Sequence, residues 1–322
     1  MRDVSPAGPA AIGERRHLLT LEDMPRAEIE AILDTAAAIA AATAGRMKTL
    51  PILRGHTIVN LFFEPSTRTR TSFELAARRL SAEVVNFDVA TSSTSKGETL
   101  LDTLRTLAAM RCDLFVVRHR DDGAPAALAA ALGNEVAIVN AGDGSHAHPT
   151  QGLLDVYTIR ERFGPDFSKL RVLIVGDVAH SRVARSDIHA LLALGVGELR
   201  VCAPPSLRPD VLDERVTYVG EIARALADID VVMLLRLQKE RMQAAHIPDD
   251  ATFFESYGLT DARLALARPG ALVMHPGPIN REVEIASEVA DGPQSAILAQ
   301  VANGLPVRMA VMCHLLGASL RP

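Results

Sequence analysis

The chain has 322 residues, enough for two domains of ordinary size with a core in each. Hydrophobic residues make up 48% and charged residues 23%, a globular, water-soluble composition. A formal charge of -5 and a pI near 6.1 argue against a nucleic-acid or membrane-surface protein, and no apolar run approaches the roughly 20 residues that span a bilayer.

Residues 1–16 are rich in Ala, Pro and Gly, which predicts a disordered N-terminal extension and not a targeting segment. Ile29, Ile32, Leu33 and Ala36 mark a first amphipathic helix. Thr57–Phe63 reads as a buried strand that Pro65 breaks, with Ser66 suited to cap the helix that follows. Phe73, Ala76, Ala77 and Leu80 form the apolar face of that helix. A polar loop, Thr91–Gly97, precedes a helix through Leu100, Leu104 and Leu107 and then the strand 113–117. Further strands are predicted at 136–141, 171–175, 199–203, 230–235 and 271–274. A domain boundary falls near 142–155, where Pro149 can open a helix carrying Leu153, Val156 and Tyr157. The last helix, 307–316, follows Asn303-Gly304-Leu305-Pro306 and could pack on either domain. This alternation predicts an α/β chain of two domains, each a parallel β-sheet flanked by helices.

Reactive groups gather after the strands. Ser66, Thr67, Arg68 and Thr69 form the first turn of a helix, where unpaired N–H groups and the positive dipole end favour an anion. Capping alone would account for one Ser-Thr pair, but Ser-Thr-Arg-Thr-Arg-Thr points to a phosphate or a comparable charge. Arg118, His148 with Gln151, Arg182, Arg236 with Gln238, and His275-Pro-Gly-Pro278 follow further strands. Four arginines without a carboxylate pair argue against glycoside hydrolysis and for electrostatic stabilisation of several anionic groups.

Other chemistries fit less well. "VLIVGDVAHSRVARS" lacks GxGxxG, and Asp177, Val178 and Ala179 fill the positions that a pyrophosphate needs bare. His146 and His148, with Asp143 nearby, could chelate a metal, yet no further ligand completes the set. GxSxG and Walker A sequences are absent. Cys112, Cys202 and Cys313 are far apart and odd in number, as expected of reduced thiols in a cytoplasmic protein.

In chain order "FFEPSTRTRTSFE", "SKGETLLDT", "VVRH", "VNAGDGSHAHPTQGLLD", "GDVAHSRVARS", "LLRLQKERM" and "HPGPINRE" resemble the catalytic chains of the aspartate carbamoyltransferase family, from about His17 to the C-terminus. The resemblance implies transfer of a carbamoyl group from carbamoyl phosphate to L-aspartate, the committed step of pyrimidine synthesis, without a cofactor or metal. It implies a carbamoyl phosphate-binding domain, 17–148 with a returning C-terminal helix 305–322, an aspartate-binding domain, 149–304, and an active site in the cleft. Ser66, Thr67, Arg68 and Thr69 would hold the phosphate, and Thr67, Arg118 and His148 the carbamoyl oxygen. Gln151 and the backbone carbonyls of Gly277-Pro278 would hold the carbamoyl amide. Arg182, Arg236 and Gln238 would clamp aspartate. Ser92 and Lys96 lie on a loop that in the family reaches a neighbouring subunit's site within a homotrimer, and Lys96 would serve both substrates.

Gly277 in the tail motif resembles the class that assembles with a dihydroorotase or dihydroorotase-like chain, here as a dodecamer. Glu282, beside Arg281, stands where a small residue is more usual. Ornithine carbamoyltransferase shares the Ser-Thr-Arg-Thr-Arg element but would show His-Cys-Leu-Pro near the C-terminus, and Arg236 has the wrong sign for ornithine's cation. A non-catalytic scaffold paralogue would be expected to lose Arg68, Lys96 or His148, all of which are present.

Overall fold

Runs of Ile, Val and Leu without polar alternation suit strands covered on both faces. The computed structural model describes residues 16–87, 99–239 and 249–319 and builds such runs into two five-stranded parallel sheets. Contacts divide the chain into unit 1, Met1–Gly144 with Leu305–Pro322, and unit 2, Ser145–Gly304. Apart from Arg16, the expected N-terminal extension lies outside the described residues, and so do Ser92 and Lys96.

Unit 1 runs β1 (His17–Leu18), α1 (Arg26–Thr43), β2 (Thr57–Phe62), α2 (Thr67–Arg79), β3 (Glu83–Phe87), α3 (Leu100–Ala109), β4 (Leu114–His119), α4 (Ala124–Leu132) and β5 (Ala137–Asp143). Its sheet has the order β1-β5-β4-β2-β3, every pair parallel. Ile29, Ile32, Leu33 and Ala36 of α1 are buried, and so are Phe73, Ala76, Ala77 and Leu80 along α2, the faces that the apolar spacing predicts. Val59, Leu61, Phe115, Val117 and Ile138 form one core cluster with Leu128 and Leu132 of α4.

Unit 2 runs α5 (Pro149–Phe163), β6 (Arg171–Val175), α6 (Arg182–Ala193), β7 (Glu198–Cys202), β8 (Val216–Tyr218), α7 (Ile222–Leu226), β9 (Val231–Leu234), α8 (Asp250–Tyr257), α9 (Asp261–Leu264), β10 (Leu272–Met274) and α10 (Ser287–Ala290). Its sheet has the order β10-β9-β6-β7-β8, again all parallel. Leu173, Val175, Val232, Leu234 and Val273 pack in one cluster with Ile222 and Leu226 of α7.

Two features depart from the sequence expectation. β1, β3 and β8 are edge strands of two, five and three residues, too short or too exposed to show a pattern. The final helix, α11 (Ile297–Leu315), is a full 19 residues and continues through Gly304 and Pro306. A proline inside a helix removes one hydrogen bond and crowds the preceding turn. Burial of Val307, Met309, Ala310, Val311 and Met312 beyond it offsets that cost. The part from Leu305 onward belongs to unit 1.

Candidate active site

In an open parallel sheet, ligands bind beyond the carboxyl ends of the strands where the strand order reverses. Unit 1 reverses between β2 and β4. There Phe62 stands in register with Arg118, and the Phe63 N–H donates to the Arg118 carbonyl at 2.8 Å. After Pro65 the chain enters α2 with Ser66 in the N-cap position, although its hydroxyl makes no capping bond. The N–H groups of Thr67, Arg68 and Thr69 lie on the turn where a helix has no carbonyl to offer them. Arg70 is the first to reach back, to the Ser66 carbonyl at 3.3 Å. Thr67 and Arg68 are exposed, Thr69 is buried, and the first turn carries no acidic residue.

Arg118 is only 8% exposed. Its Nη2 donates to Glu64 Oε1 at 2.6 Å and its Nη1 to the Ala141 carbonyl at 3.3 Å. A guanidinium has five N–H donors in one plane, so these bonds fix that plane without exhausting it. Asp143 accepts from the Gly123 N–H at 2.7 Å and from Asn140 Nδ2 at 2.8 Å, which makes it a brace for the end of β5. Among the described residues, no group of three His, Cys, Asp or Glu is placed to hold a metal ion.

Unit 2 reverses between β6 and β9. Val175 stands in register with Leu234, and the Leu235 N–H donates to the Val175 carbonyl at 2.8 Å. Gly176 follows at φ +125°, and a Cβ there would lie 2.6 Å from the Leu235 carbonyl oxygen, so no larger residue fits. Asp177 is fully buried. Its Oδ1 accepts the His180 N–H at 3.2 Å and lies 2.8 Å from His180 Nδ1. Its Oδ2 accepts the Gln238 N–H at 3.2 Å, and Gln238 Nε2 donates to the His180 carbonyl at 3.2 Å. One carboxylate therefore ties the turn after β6 to the segment after β9. Arg182 opens α6 and is buried, with Ser181 capping that helix through the Ala184 N–H at 3.1 Å. Arg236 is half-buried just past β9.

His148 occupies the N-cap position of α5, and its backbone N–H donates to Ser186 Oγ at 2.9 Å. Ser186 Oγ in turn donates to the Arg182 carbonyl at 3.1 Å, linking the start of α5 to the start of α6. Gln151 lies within the first turn of the same helix, with its side-chain nitrogen on Asp155 at 3.0 Å. Past β10 the Gly277 N–H donates to His275 Nδ1 at 2.8 Å, and Gly277 adopts φ +68° before a cis bond to Pro278. Glu282, unexplained by its sequence position, accepts from both the Ser287 N–H and the Ser287 hydroxyl at 2.9 Å, which closes the turn that enters α10.

Residues 16–161 match the carbamoyl phosphate-binding domain of the aspartate/ornithine carbamoyltransferases, and residues 168–315 match their aspartate/ornithine-binding domain. The chain belongs to the aspartate/ornithine carbamoyltransferase family. One relative within the family, the aspartate carbamoyltransferase catalytic subunit of Stenotrophomonas maltophilia (strain R551-3), is 58% identical over 95% of this chain and 98% of its own length. Aspartate transcarbamoylase of Trypanosoma cruzi, solved with carbamoyl phosphate, superposes with a TM-score of 0.83 at 31% identity, covering 95% of this chain and 98% of that one. The same enzyme with N-(phosphonacetyl)-L-aspartic acid gives 0.83 at 31% identity over 94% and 97%.

Within this family member, Ser66, Thr67, Arg68 and Thr69 follow β2, and Arg118 lies near the end of β4, its neighbour across the reversal of unit 1. Arg182 opens the helix after β6, and Arg236 and Gln238 follow β9, its neighbour across the reversal of unit 2. His148 and Gln151 share the first turn of α5, and Gly277 and Pro278 stand past β10. Ser92 and Lys96 lie outside the described residues. Sequence reasoning did not single out Glu64, Asp155, Asp187 or Gln300. Asp155 had a signal, since it sits four residues after Gln151 and hence on the same helix face. Asp187 and Gln300 lie on other helices, where no sequence spacing relates them to α5.

Proposed function

We propose that this chain transfers the carbamoyl group of carbamoyl phosphate to the amine of L-aspartate, giving N-carbamoyl-L-aspartate and phosphate, the committed step of pyrimidine synthesis. The observation that carries the reading is the placement of arginines and hydroxyls at both strand-order reversals, each beside a helix start. Relatives whose names state this activity support it.

Ser66, Thr67, Arg68 and Thr69 hold the phosphate at the start of α2, with Ser92 and Lys96 adding to it. Thr67, Arg118 and His148 donate to the carbamoyl oxygen. As the neutral amine attacks the carbonyl carbon, a C–N bond forms and negative charge grows on that oxygen. These donors stabilise the charge without reorganising at the moment of reaction. The C–O bond to phosphate then breaks, and the departing phosphate takes the amine's proton. Position and charge suffice, and no strong general base is required.

Gln151 and the carbonyls of Gly277-Pro278 hold the carbamoyl amide. Arg182 and Arg236, with Gln238 and Lys96, hold the two carboxylates of aspartate, for which a planar fork with parallel N–H donors is suited. The functional form in this reading is a cytoplasmic homotrimer that shares sites through the Lys96 loop. The Gly277 form of the tail motif favours further assembly with a dihydroorotase or dihydroorotase-like chain into a dodecamer. Among the described residues, no helix is long and apolar enough to cross a membrane.

Purified chain supplied with carbamoyl phosphate and L-aspartate should release N-carbamoyl-L-aspartate and phosphate in equal amounts. L-Ornithine in place of aspartate should give no product. Turnover with ornithine and not with aspartate would overturn the assignment, and no turnover with either would favour a scaffold.

A further inference from the structure

Helix α5 is buried around its whole circumference from Pro149 to Ile159, although it carries Thr150, Gln151, Asp155 and Thr158. Polar groups in such a place must be hydrogen-bonded, and a carboxylate must be compensated or neutral. Asp155 on α5 and Asp187 on α6 are both fully buried. Asp155 Oδ1 accepts from Gln151 Nε2 at 3.0 Å and from Gln300 Nε2 at 2.7 Å, and Gln151 Nε2 also lies 3.2 Å from Oδ2. Asp187 differs. Neither of its oxygens meets an N–H or hydroxyl donor among the described residues, and the group it faces is the Asp155 carboxyl. Two carboxyls can hydrogen-bond only when a proton lies between them. Burial, and then the charge of Asp155, push the Asp187 carboxyl well above the usual carboxylate range. Asp155, with amide donors on its oxygens, is the carboxyl equipped to carry the charge, and Asp187, with none, is the one that holds the proton.

An amide has one donor end and one acceptor end, so an ionised Asp155 forces both glutamines to turn their nitrogens toward it. Gln300 then presents its carbonyl to the His275 N–H, 2.8 Å away. His275 Nδ1 accepts the Gly277 N–H at 2.8 Å, so the turn bearing Gly277-Pro278 hangs from the same carboxylate. Gln151 likewise keeps its carbonyl oxygen on the side away from Asp155. We propose that Asp155 and Asp187 share one proton as a positioning pair, which fixes the acceptor side of Gln151 and the His275–Pro278 turn and so selects a ligand bearing an N–H at that point over one bearing a methyl. The inference rests on the carbamoyl phosphate reading above. Neither aspartate touches the reacting atoms; both act through Gln151 and Gln300.

Acetyl phosphate carries a methyl where carbamoyl phosphate carries its amide nitrogen, and binding of the two to the full chain reads out this selection directly. Asp155→Asn should lower affinity for carbamoyl phosphate about tenfold, the scale of a lost hydrogen bond, and leave acetyl phosphate within about twofold. Asp187→Asn supplies an N–H where the proton was and should keep the wild-type preference, whereas Asp187→Leu should reduce it as Asp155→Asn does. An unchanged preference in Asp155→Asn and Asp187→Leu, or equal loss of both ligands, would overturn the proposal. Should the variants fail to fold, infrared spectra of the wild type decide. A protonated-carboxyl C=O band at neutral pH is expected, and its absence sinks the shared proton. A wild-type chain that binds neither phosphate would overturn the carbamoyl phosphate reading instead, while the infrared band still decides the state of the pair.

Discussion

Arg236 stands two residues past β9, next but one to Gln238, whose backbone N–H is anchored on Asp177. A lysine there keeps the charge but loses the planar fork that grips a carboxylate through two parallel bonds. Arg236→Lys should therefore raise the KM for aspartate strongly, while carbamoyl phosphate affinity stays near wild type. Equal loss of both affinities in steady-state kinetics would remove Arg236 from the aspartate clamp. His148 presents a different case, because its backbone bond to Ser186 survives truncation of the ring. His148→Ala removes the proposed donor to the developing oxyanion and should lower kcat by about 10²–10³-fold, the usual scale for one such donor. Carbamoyl phosphate binding should change less, and activity within a few-fold of wild type would make His148 structural.

The turn that joins β6 to α6 shows how an element imposes a residue. Gly176 has a left-handed φ of +125°, and its missing side chain lets the Leu235 backbone approach. Gly176→Ala has to move either the β6 turn or the segment after β9. Strain and overpacking of this kind cost about 1–3 kcal/mol. Denaturant unfolding should show that loss, and the KM for aspartate should rise, because Arg236 follows Leu235 directly. An alanine variant as stable as wild type with an unchanged KM would mean that the two segments shift together without consequence. Helix α5 makes the complementary point. Its Leu153, Val156 and Tyr157 are an ordinary apolar signature, yet Gln151, Asp155 and Thr158 are buried too. No apolar periodicity announces a helix whose polar face is also enclosed.

At the scale of the whole molecule, the proposed trimer makes a prediction that no single chain would. Arg68→Ala and Lys96→Ala should each be nearly inactive when purified alone. If one site needs Arg68 from one subunit and Lys96 from the next, random equal mixing restores that pairing at about a quarter of interfaces in a closed ring. After gentle dissociation and reassembly, activity should recover toward about a quarter of wild type. Verified hybrid trimers without recovery would show that Lys96 serves its own subunit.

Sequence alone determined the two α/β units, most of the buried strands and the position of hydroxyls and arginines after those strands. Those are local properties: β-branched runs, apolar spacing on helices, and hydroxyls and arginines placed just after a strand. Tertiary structure alone decided the strand order, and with it the two reversals that bring Phe62-Phe63 beside Arg118 and Gly176-Asp177 beside Gln238. It also carried α11 through Pro306, because burial of the following turns outweighs a local penalty that sequence reading takes at face value. The ties of Glu64 to Arg118, Asp187 to Asp155 and Gln300 to His275 join residues on separate elements. Spacing along a chain reports only which groups share a face of one helix or strand, so partners brought together by packing leave no periodic trace.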